Sequence, residues 1–409
     1  MSDASPSSLP SHFAPSSQFG REASSAASTL VAFPILNEDI EVVMRNLAAA
    51  AGHPAVRSVI AIIGDHENTN RAIRAQVVGL EPKVRVLPQQ RIGTLRPGKG
   101  DAINTAFKVF LEDPGFQRVH FYDADIKTFD GDWITKAEAA LDDGFQAVRH
   151  FYPRAATDAM ITWMVTRLGF AALWPASPLP DLEQPLSGEL AFHREAAATL
   201  SADPRVRAQS DWGVDTVISF ATLAHGLSIY ESYIARGKDH ALYSSLADLK
   251  VMMVECLGAL QRLRAHDETA TFESPRRERE PSDSASEQIT QQIGFDIEAT
   301  QHLLAADWTT RQEALLTAHF PEYISEPASR WKRWPDTSWM DEEMWFTTLA
   351  ILLDRFVQDD DDWRDLAFRL WVGRVLHYTL RIAVRGHAFA NDYLHGMVAR
   401  AVSRGLAVD

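Results

Sequence analysis

Between residues 30 and 122, short apolar runs alternate with amphipathic segments, and this alternation constrains the fold more than any other feature of the sequence. The apolar runs have the length of strands and lie at 30–35, 56–63, 84–87 and 118–122. The segments between them place apolar residues at helical spacing, most clearly over 100–111. Strands that alternate with helices predict a mostly parallel sheet covered on both faces, and such sheets bind ligands at the carboxyl ends of their strands.

The chain beyond residue 289 has a different pattern. Large apolar side chains between 345 and 356 recur with a helical period, which predicts an α-helical region. Two stretches rich in serine, proline or charge flank the alternating segment. We therefore expect four parts: a disordered tail at 1–28, an α/β domain at 29–265, a linker at 266–288 and a helical C-terminal domain at 289–409.

The composition excludes several classes of partner. Lysine and arginine number 40 against 55 aspartates and glutamates, and the net charge of -15 disfavours nucleic acid or an anionic membrane as a partner. No apolar run approaches the roughly 20 residues of a membrane span. The single cysteine, Cys256, excludes an internal disulfide and a cysteine zinc site. We expect a cytoplasmic protein, and its tryptophan-rich helical domain offers a surface for homo-oligomer formation.

Two aspartates, Asp123 and Asp125, directly follow the apolar run at 118–122. Carboxylates at positions i and i+2 leave a strand end on the same face, so both can reach one hard cation. A divalent cation held there can bind the diphosphate of a sugar nucleotide and stabilise it as a leaving group. Two solvated loop aspartates would give the same short pattern, and the spacing alone leaves both interpretations open.

The segment 91–101, RIGTLRPGKGD, places three glycines and the cations Arg91, Arg96 and Lys99 before a predicted helix. Backbone N–H groups, the helix dipole and Lys99 all favour an anion at this point. The spacing matches neither a Walker loop nor the dinucleotide-binding pattern. A tight turn that caps a helix explains the glycines but not the density of cations, so the segment indicates a phosphate site.

Further polar residues surround glycine and proline turns downstream. Arg154 has the planar guanidinium that suits a carboxylate. Asp215 begins a helical run, where it is either a helix cap or part of a site. His240 follows the strand-like run at 227–234 and is either structural or a third metal ligand, if its segment returns to the paired aspartates.

Taken together, six segments resemble the mannosylglycerate synthase family, whose members are retaining glycosyltransferases of the GT-A type. These segments are FYDADI, RIGTLRPGKGD, FYPRAATDAMITWM, EQPLSGE, SDWGVD and GKDHALY. The likeness runs from about residue 30 to the C-terminus and includes FRLWVGRVLHYTLRIAVRG in the helical region. It implies an α/β fold: a GT-A-type nucleotide-sugar-binding domain with a mostly parallel sheet, followed by an α-helical C-terminal domain. It also implies transfer of mannose from GDP-mannose to the 2-hydroxyl of D-glycerate, which gives the compatible solute mannosylglycerate, with a divalent metal (Mn²⁺ or Mg²⁺) as cofactor.

The resemblance further implies roles for individual residues. The metal ligands would be Asp125 and His240, with Asp123 beside the metal, the donor sugar or its ribose. The nucleotide part would be held by Pro34, Glu38, Gln89 and Lys99. The glycerate would be bound by Arg154, Thr162, Leu186 and Ser187. Asp123, Asp215 and Tyr243 would lie at the reacting centre, where the departing phosphate helps to deprotonate the acceptor from the same face of the sugar.

Three positions depart from the family's pattern: Leu36 and Asp65 near the nucleotide, and Ser187 in the acceptor turn. These departures leave two alternatives open. The donor would be a glucose nucleotide, giving glucosylglycerate, or the acceptor would be another small 2-hydroxy acid such as lactate or glycolate. A non-catalytic sugar-nucleotide sensor is disfavoured, because the sequence retains the implied metal and nucleotide residues together.

Overall fold

The computed structural model describes residues 27–239, 245–265, 274–279 and 293–405. Eight strands within these ranges form one sheet, in the order β3-β2-β1-β4-β6-β5-β7-β8. The strands are β1 (Thr29–Ile35), β2 (Val56–Ile63), β3 (Val84–Pro88), β4 (Arg118–Phe121), β5 (Ala147–Phe151), β6 (Leu190–His193), β7 (Ile229–Tyr233) and β8 (Arg276–Arg277). Neighbouring strands are parallel except that β6 runs antiparallel to both β4 and β5. The mostly parallel sheet predicted from the sequence is therefore confirmed.

Helices cover both faces of this sheet, because its central strands are apolar on both sides. Consecutive residues of β1 show this, because they face opposite sides of the sheet: Leu30 packs into one buried cluster, and Val31 packs into another. The helices of this part are α1 (Ile40–Gly52), α2 (Glu67–Gln76), α3 (Lys99–Glu112), α4 (Gly131–Asp142), α5 (Leu168–Leu173), α6 (Arg194–Ala202), α7 (Pro204–Ala208), α8 (Val214–Ala224) and α9 (Lys250–Arg264). A π-helical turn, Thr162–Arg167, leads into α5.

The region after residue 293 is helical, as predicted. Its helices are α10 (Ile297–Ala305), α11 (Thr310–His319), α12 (Glu322–Ser329), α13 (Glu342–Arg355), α14 (Asp361–Arg381) and α15 (His387–Arg404). Asp360 caps α14 by accepting hydrogen bonds from the first backbone N–H groups of the helix. These helices share one buried apolar cluster with α3 and α8, so the hydrophobic core is continuous across the two regions.

Part of the predicted linker adds an edge strand to the sheet. The backbone of β8 pairs with β7, and Arg277 forms a salt bridge with the buried Glu231 at 2.7 Å. The predicted tail at 1–28 lies almost wholly outside the described residues. Within the described ranges, no helix combines the length and the apolar character that a membrane span requires.

Candidate active site

A cavity of about 360 Å³ opens at the carboxyl ends of the central strands. Residues that follow β1, β2, β3, β4 and β5 all contribute to its wall, as expected for a sheet of this type. The predicted site residues that line it are Pro34, Glu38, Gln89, Lys99, Asp123, Asp125, Arg154, Thr162, Leu186, Ser187 and Asp215. His240 and Tyr243, predicted as a metal ligand and a residue near the diphosphate, lie outside the described residues.

Lys99, the first residue of α3, lies between two carboxylates. Its Nζ is 2.9 Å from Oδ1 of Asp123 and 3.0 Å from Oδ2 of Asp215. Burial opposes the positive charge, but the two aspartates outweigh it and raise the pKa of Lys99 above its ordinary value. Burial also raises the pKa of Asp215 to about 6, although Lys99 opposes this shift. Lys99 is therefore an ammonium at neutral pH, and the pKa of Asp215 lies about one pH unit below neutral.

The glycine-rich segment before α3 differs from its sequence interpretation. The backbone N–H groups of Ile92 and Gly93 donate to Asp101, at 2.9 and 2.8 Å, so a carboxylate of the chain itself takes the place expected for phosphate. Arg91 also pairs with Asp101, at 2.7 Å. Arg96 lines the cavity, but its guanidinium donates two hydrogen bonds to the carboxylate of Glu255. Of the three cations in the segment 91–101, Lys99 is the one that contacts Asp123 and Asp215.

The turn after β4 carries the carboxylates that suit a metal. Asp123 and Asp125 both line the cavity and offer the oxygen donors that a hard divalent cation prefers. Burial raises the pKa of the neighbouring Glu38, and the charges of Asp125 and Asp123 raise it further. Among the described residues, no three acidic, histidine or cysteine side chains form a complete metal site. Asp125 fits a divalent cation as part of a ligand set, whereas both oxygens of Asp123 already contact ammonium groups, of Lys99 and Lys238.

Arg154 also lines the cavity and lies in the loop after β5. Its guanidinium is 3.5 Å from Asp158, donates to the hydroxyl of Tyr152 at 3.0 Å and lies 5.0 Å from the centre of the Tyr152 ring. The C-terminal helices hold this loop from behind, because Tyr378 donates to the carbonyl of Ala156 at 2.7 Å and His387 lies 3.1 Å from the carbonyl of Arg154. The cation is thus fixed in place before any ligand binds.

Arg149 on β5 supports the turn that carries Leu186 and Ser187, and sequence reasoning missed it. Its buried guanidinium donates to the carbonyls of Pro185 and Ser187 at 2.9 and 3.0 Å, and to the hydroxyl of Ser219 at 2.8 Å. An arginine in the middle of the apolar strand AVRHF is the sequence signal that could have found it, because a buried cation needs several acceptors.

Lys238 is a second cation that the sequence analysis did not assign. Its Nζ lies 2.6 Å from Asp123 and 2.8 Å from Glu189. Burial raises the pKa of Asp123, but Lys238 and Lys99 outweigh it and hold the pKa of this carboxyl well below its usual range. Nothing in the local sequence distinguishes Lys238 from a surface lysine, because its partners lie on distant segments.

Comparison with known proteins identifies the family of the chain. The family model for "Mannosylglycerate synthase, GT domain" matches residues 29–262, and that for "Mannosylglycerate synthase C-terminal domain" matches 289–398. The chain is 46% identical over 378 residues to mannosylglycerate synthase of Rhodothermus marinus, which covers 91% of this chain and 94% of that protein. It is 44% identical over 375 residues to mannosylglycerate synthase of Selaginella moellendorffii, covering 90% and 88%.

Among solved structures, the chain is similar to glucosyl-3-phosphoglycerate synthase from Mycobacterium tuberculosis in complex with Mn²⁺, UDP-glucose and phosphoglyceric acid. The TM-score is 0.47 at 23% sequence identity, with coverage of 59% of this chain and 81% of that chain. The two family models together span both the α/β region and the helical region of the fold described above. The chain is therefore a glycosyltransferase, and it belongs to the mannosylglycerate synthase family.

Proposed function

We propose that the protein transfers mannose from GDP-mannose to the 2-hydroxyl of D-glycerate, with retention at the anomeric carbon and with a divalent cation, Mn²⁺ or Mg²⁺. The observation that carries this proposal is one cavity lined both by a pair of aspartates and by a partly buried guanidinium. Asp123 and Asp125 suit a metal-bound diphosphate, and Arg154 suits a carboxylate. A sugar nucleotide and a hydroxy acid are the two substrates that this arrangement fits.

On the donor side, Pro34, Glu38 and Gln89 line the part of the cavity at the ends of β1 and β3 and would contact the nucleotide. Asp125 and His240 would hold the divalent cation, with Asp123 beside it, and the cation supplies Lewis-acid stabilisation of the diphosphate leaving group when bound. Lys99 keeps its charge because of its two carboxylate partners, and it adds a fixed positive charge beside the same group.

On the acceptor side, Arg154 would bind the glycerate carboxylate with two N–H groups of its guanidinium. Tyr152 and Asp158 already fix the orientation of this group, which lowers the ordering cost of binding. Thr162, Leu186 and Ser187 would direct the hydroxyl groups of glycerate, and Arg149 holds the turn of Leu186 and Ser187 by donating to its carbonyls.

For the chemical step, the bond between the anomeric carbon and the diphosphate breaks as the bond to the glycerate oxygen forms on the same face. The hydroxyl proton passes to the departing diphosphate. Asp215, whose pKa burial raises to about 6, is ionised at neutral pH and would stabilise positive charge on the sugar. Tyr243 would lie near the diphosphate, a role that stays a prediction from the family resemblance.

A substrate screen tests this proposal. The purified protein is incubated with D-glycerate, Mn²⁺ or Mg²⁺, and GDP-mannose, GDP-glucose or UDP-glucose in turn, and the product is characterised by NMR. We expect α-mannosyl at the 2-oxygen of glycerate. Leu36 and Asp65, which depart from the family's pattern, both line the cavity, so the glucose donors are the critical comparison. Faster turnover with a glucose donor would assign glucosylglycerate synthesis instead. Lactate and glycolate in place of glycerate test the acceptor in the same way.

A further inference from the structure

Glu189 is a buried carboxylate that contacts two residues of the cavity wall, Lys238 and Ser187. It directly precedes β6 and has none of its surface exposed to solvent. Its two oxygens have different partners: Oε1 accepts from Lys238 at 2.8 Å, and Oε2 accepts from Tyr152 at 3.0 Å and from Ser187 at 2.7 Å. One side chain therefore contacts groups that belong to both halves of the site.

The first oxygen reaches the donor half through a lysine. Nζ of Lys238 bridges Glu189 and Asp123, and the other oxygen of Asp123 binds Lys99. The side chain of Lys238 is 7% exposed, so its charge requires both carboxylates as partners. The position of the Asp123 carboxylate, and with it the geometry offered to a metal-bound diphosphate, depends on Glu189 through this lysine.

The second oxygen reaches the acceptor half through two hydroxyl groups. The hydroxyl of Tyr152 donates to Glu189 and accepts from Nη2 of Arg154. The hydroxyl of Ser187 fixes the turn that Arg149 also holds. Glu189 therefore determines where the guanidinium of Arg154 and the turn at Ser187 stand relative to each other.

We propose that Glu189 is a positioning residue that joins the donor half of the site to the acceptor half and sets their spacing for transfer. The proposal rests on the proposed function, which identifies the two halves. A carboxylate can accept hydrogen bonds on both oxygens, whereas an amide offers one acceptor and one NH₂ group. Glutamine at this position would face either Lys238 or the two hydroxyl groups with a donor where an acceptor is required, and it would remove the charge that Lys238 needs.

The test is steady-state kinetics of Glu189→Gln with each substrate varied in turn. We expect the KM for the sugar nucleotide and the KM for the hydroxy acid both to rise by about tenfold, the effect of losing one charge-assisted hydrogen bond in each half. Tyr152→Phe keeps the bond to Lys238 and removes the link to Arg154, so it should raise the hydroxy-acid KM alone. The matched control is Glu138→Gln on α4, because Glu138 is also a carboxylate that bridges a hydroxyl group, of Thr29, and a cation, Arg118, with His120 3.1 Å away, at the opposite end of the strands.

The outcomes are separable. A purely structural role would lower the melting temperature of Glu189→Gln and of Glu138→Gln alike and leave both KM values within twofold of the wild type, which would overturn the proposal. A rise confined to one substrate would also overturn it. If Glu189→Gln does not fold, Tyr152→Phe decides, and an unchanged hydroxy-acid KM in that variant would refute the link. All measurements use whichever substrate pair the wild type turns over, so failure with GDP-mannose or D-glycerate refutes the proposed function without affecting this test.

Discussion

Replacing Arg154 with lysine tests the assignment of the carboxylate-binding group. The substitution keeps the positive charge and removes the planar fork, because an ammonium is a point charge with no paired N–H groups in a fixed plane. In the structure the guanidinium is held by the Tyr152 hydroxyl at 3.0 Å and by Asp158 at 3.5 Å, so its orientation is set before glycerate arrives. Loss of one charge-assisted hydrogen bond to the substrate costs about 2 kcal/mol, which corresponds to an increase of roughly 30-fold in the KM for glycerate.

The assay varies glycerate at saturating donor and then varies the donor at saturating glycerate. The donor KM should stay within twofold of the wild type, because the Arg154 guanidinium contacts Tyr152 and Asp158, neither of which is assigned to the donor. Glyceramide, which has no carboxylate, provides a second comparison, since the wild type should prefer glycerate strongly and Arg154→Lys should lose most of that preference. Arg96→Lys is the matched control, because this guanidinium also lines the cavity but forks onto Glu255. An unchanged glycerate KM in Arg154→Lys, or an equal rise in Arg96→Lys, would refute the assignment.

Three further predictions concern the metal, the pH dependence and the first turn of α3. Asp125→Ala should abolish metal-dependent turnover and leave the melting temperature of the metal-free protein within a few degrees of the wild type; full activity in this variant or in excess chelator would refute the metal role. Burial raises the pKa of Asp215 from 3.8 to about 6, so kcat should fall as the pH drops below about 6 and Asp215→Asn should lose this dependence. The same shift makes the contribution of Asp215 to folding stability greatest below pH 4, and this contribution is lost as the pH rises from about 4 through 6, so the free energy of unfolding of the wild type should fall relative to that of Asp215→Asn over this range. Gly100→Ala would place a Cβ 2.2 Å from the carbonyl oxygen of Gln209 and should lower the melting temperature by several degrees, whereas Gly52→Ala meets no atom within 4 Å and should not.

Four strands of the sheet could be predicted from the sequence to within a residue, because each is a continuous apolar run between turn signals. The stretch 56–63 coincides with β2, and the stretch 118–122 differs from β4 by one residue at its end. The reversed direction of β6 could not be predicted in this way. Its four residues, LAFH, are too short to define a period, and its direction depends on pairing with β4 and β5, which lie far away in the chain.

For the candidate site as well, positions that depend on local sequence could be predicted, and contacts with distant segments could not. Asp123, Asp125 and Lys99 could be predicted because a strand end and a helix start determine their position. The partner of Arg96 could not, because Glu255 is 159 residues away and no local pattern indicates the pairing. Counting cations in a glycine-rich loop therefore overestimated the positive charge available to phosphate. The carboxylates that neutralise those cations come from other elements of the fold.

The most direct test of the proposed activity is a competition between donors. Equal concentrations of GDP-mannose, GDP-glucose and UDP-glucose are supplied together with D-glycerate and Mn²⁺, and the initial rates of the products are compared, which gives the ratio of kcat/KM for each donor. The proposal predicts that mannosylglycerate forms at least 100 times faster than glucosylglycerate (a difference of about 3 kcal/mol in transition-state binding). Glucosylglycerate as the major product, or no glycosylated glycerate from any of the three donors, would contradict it.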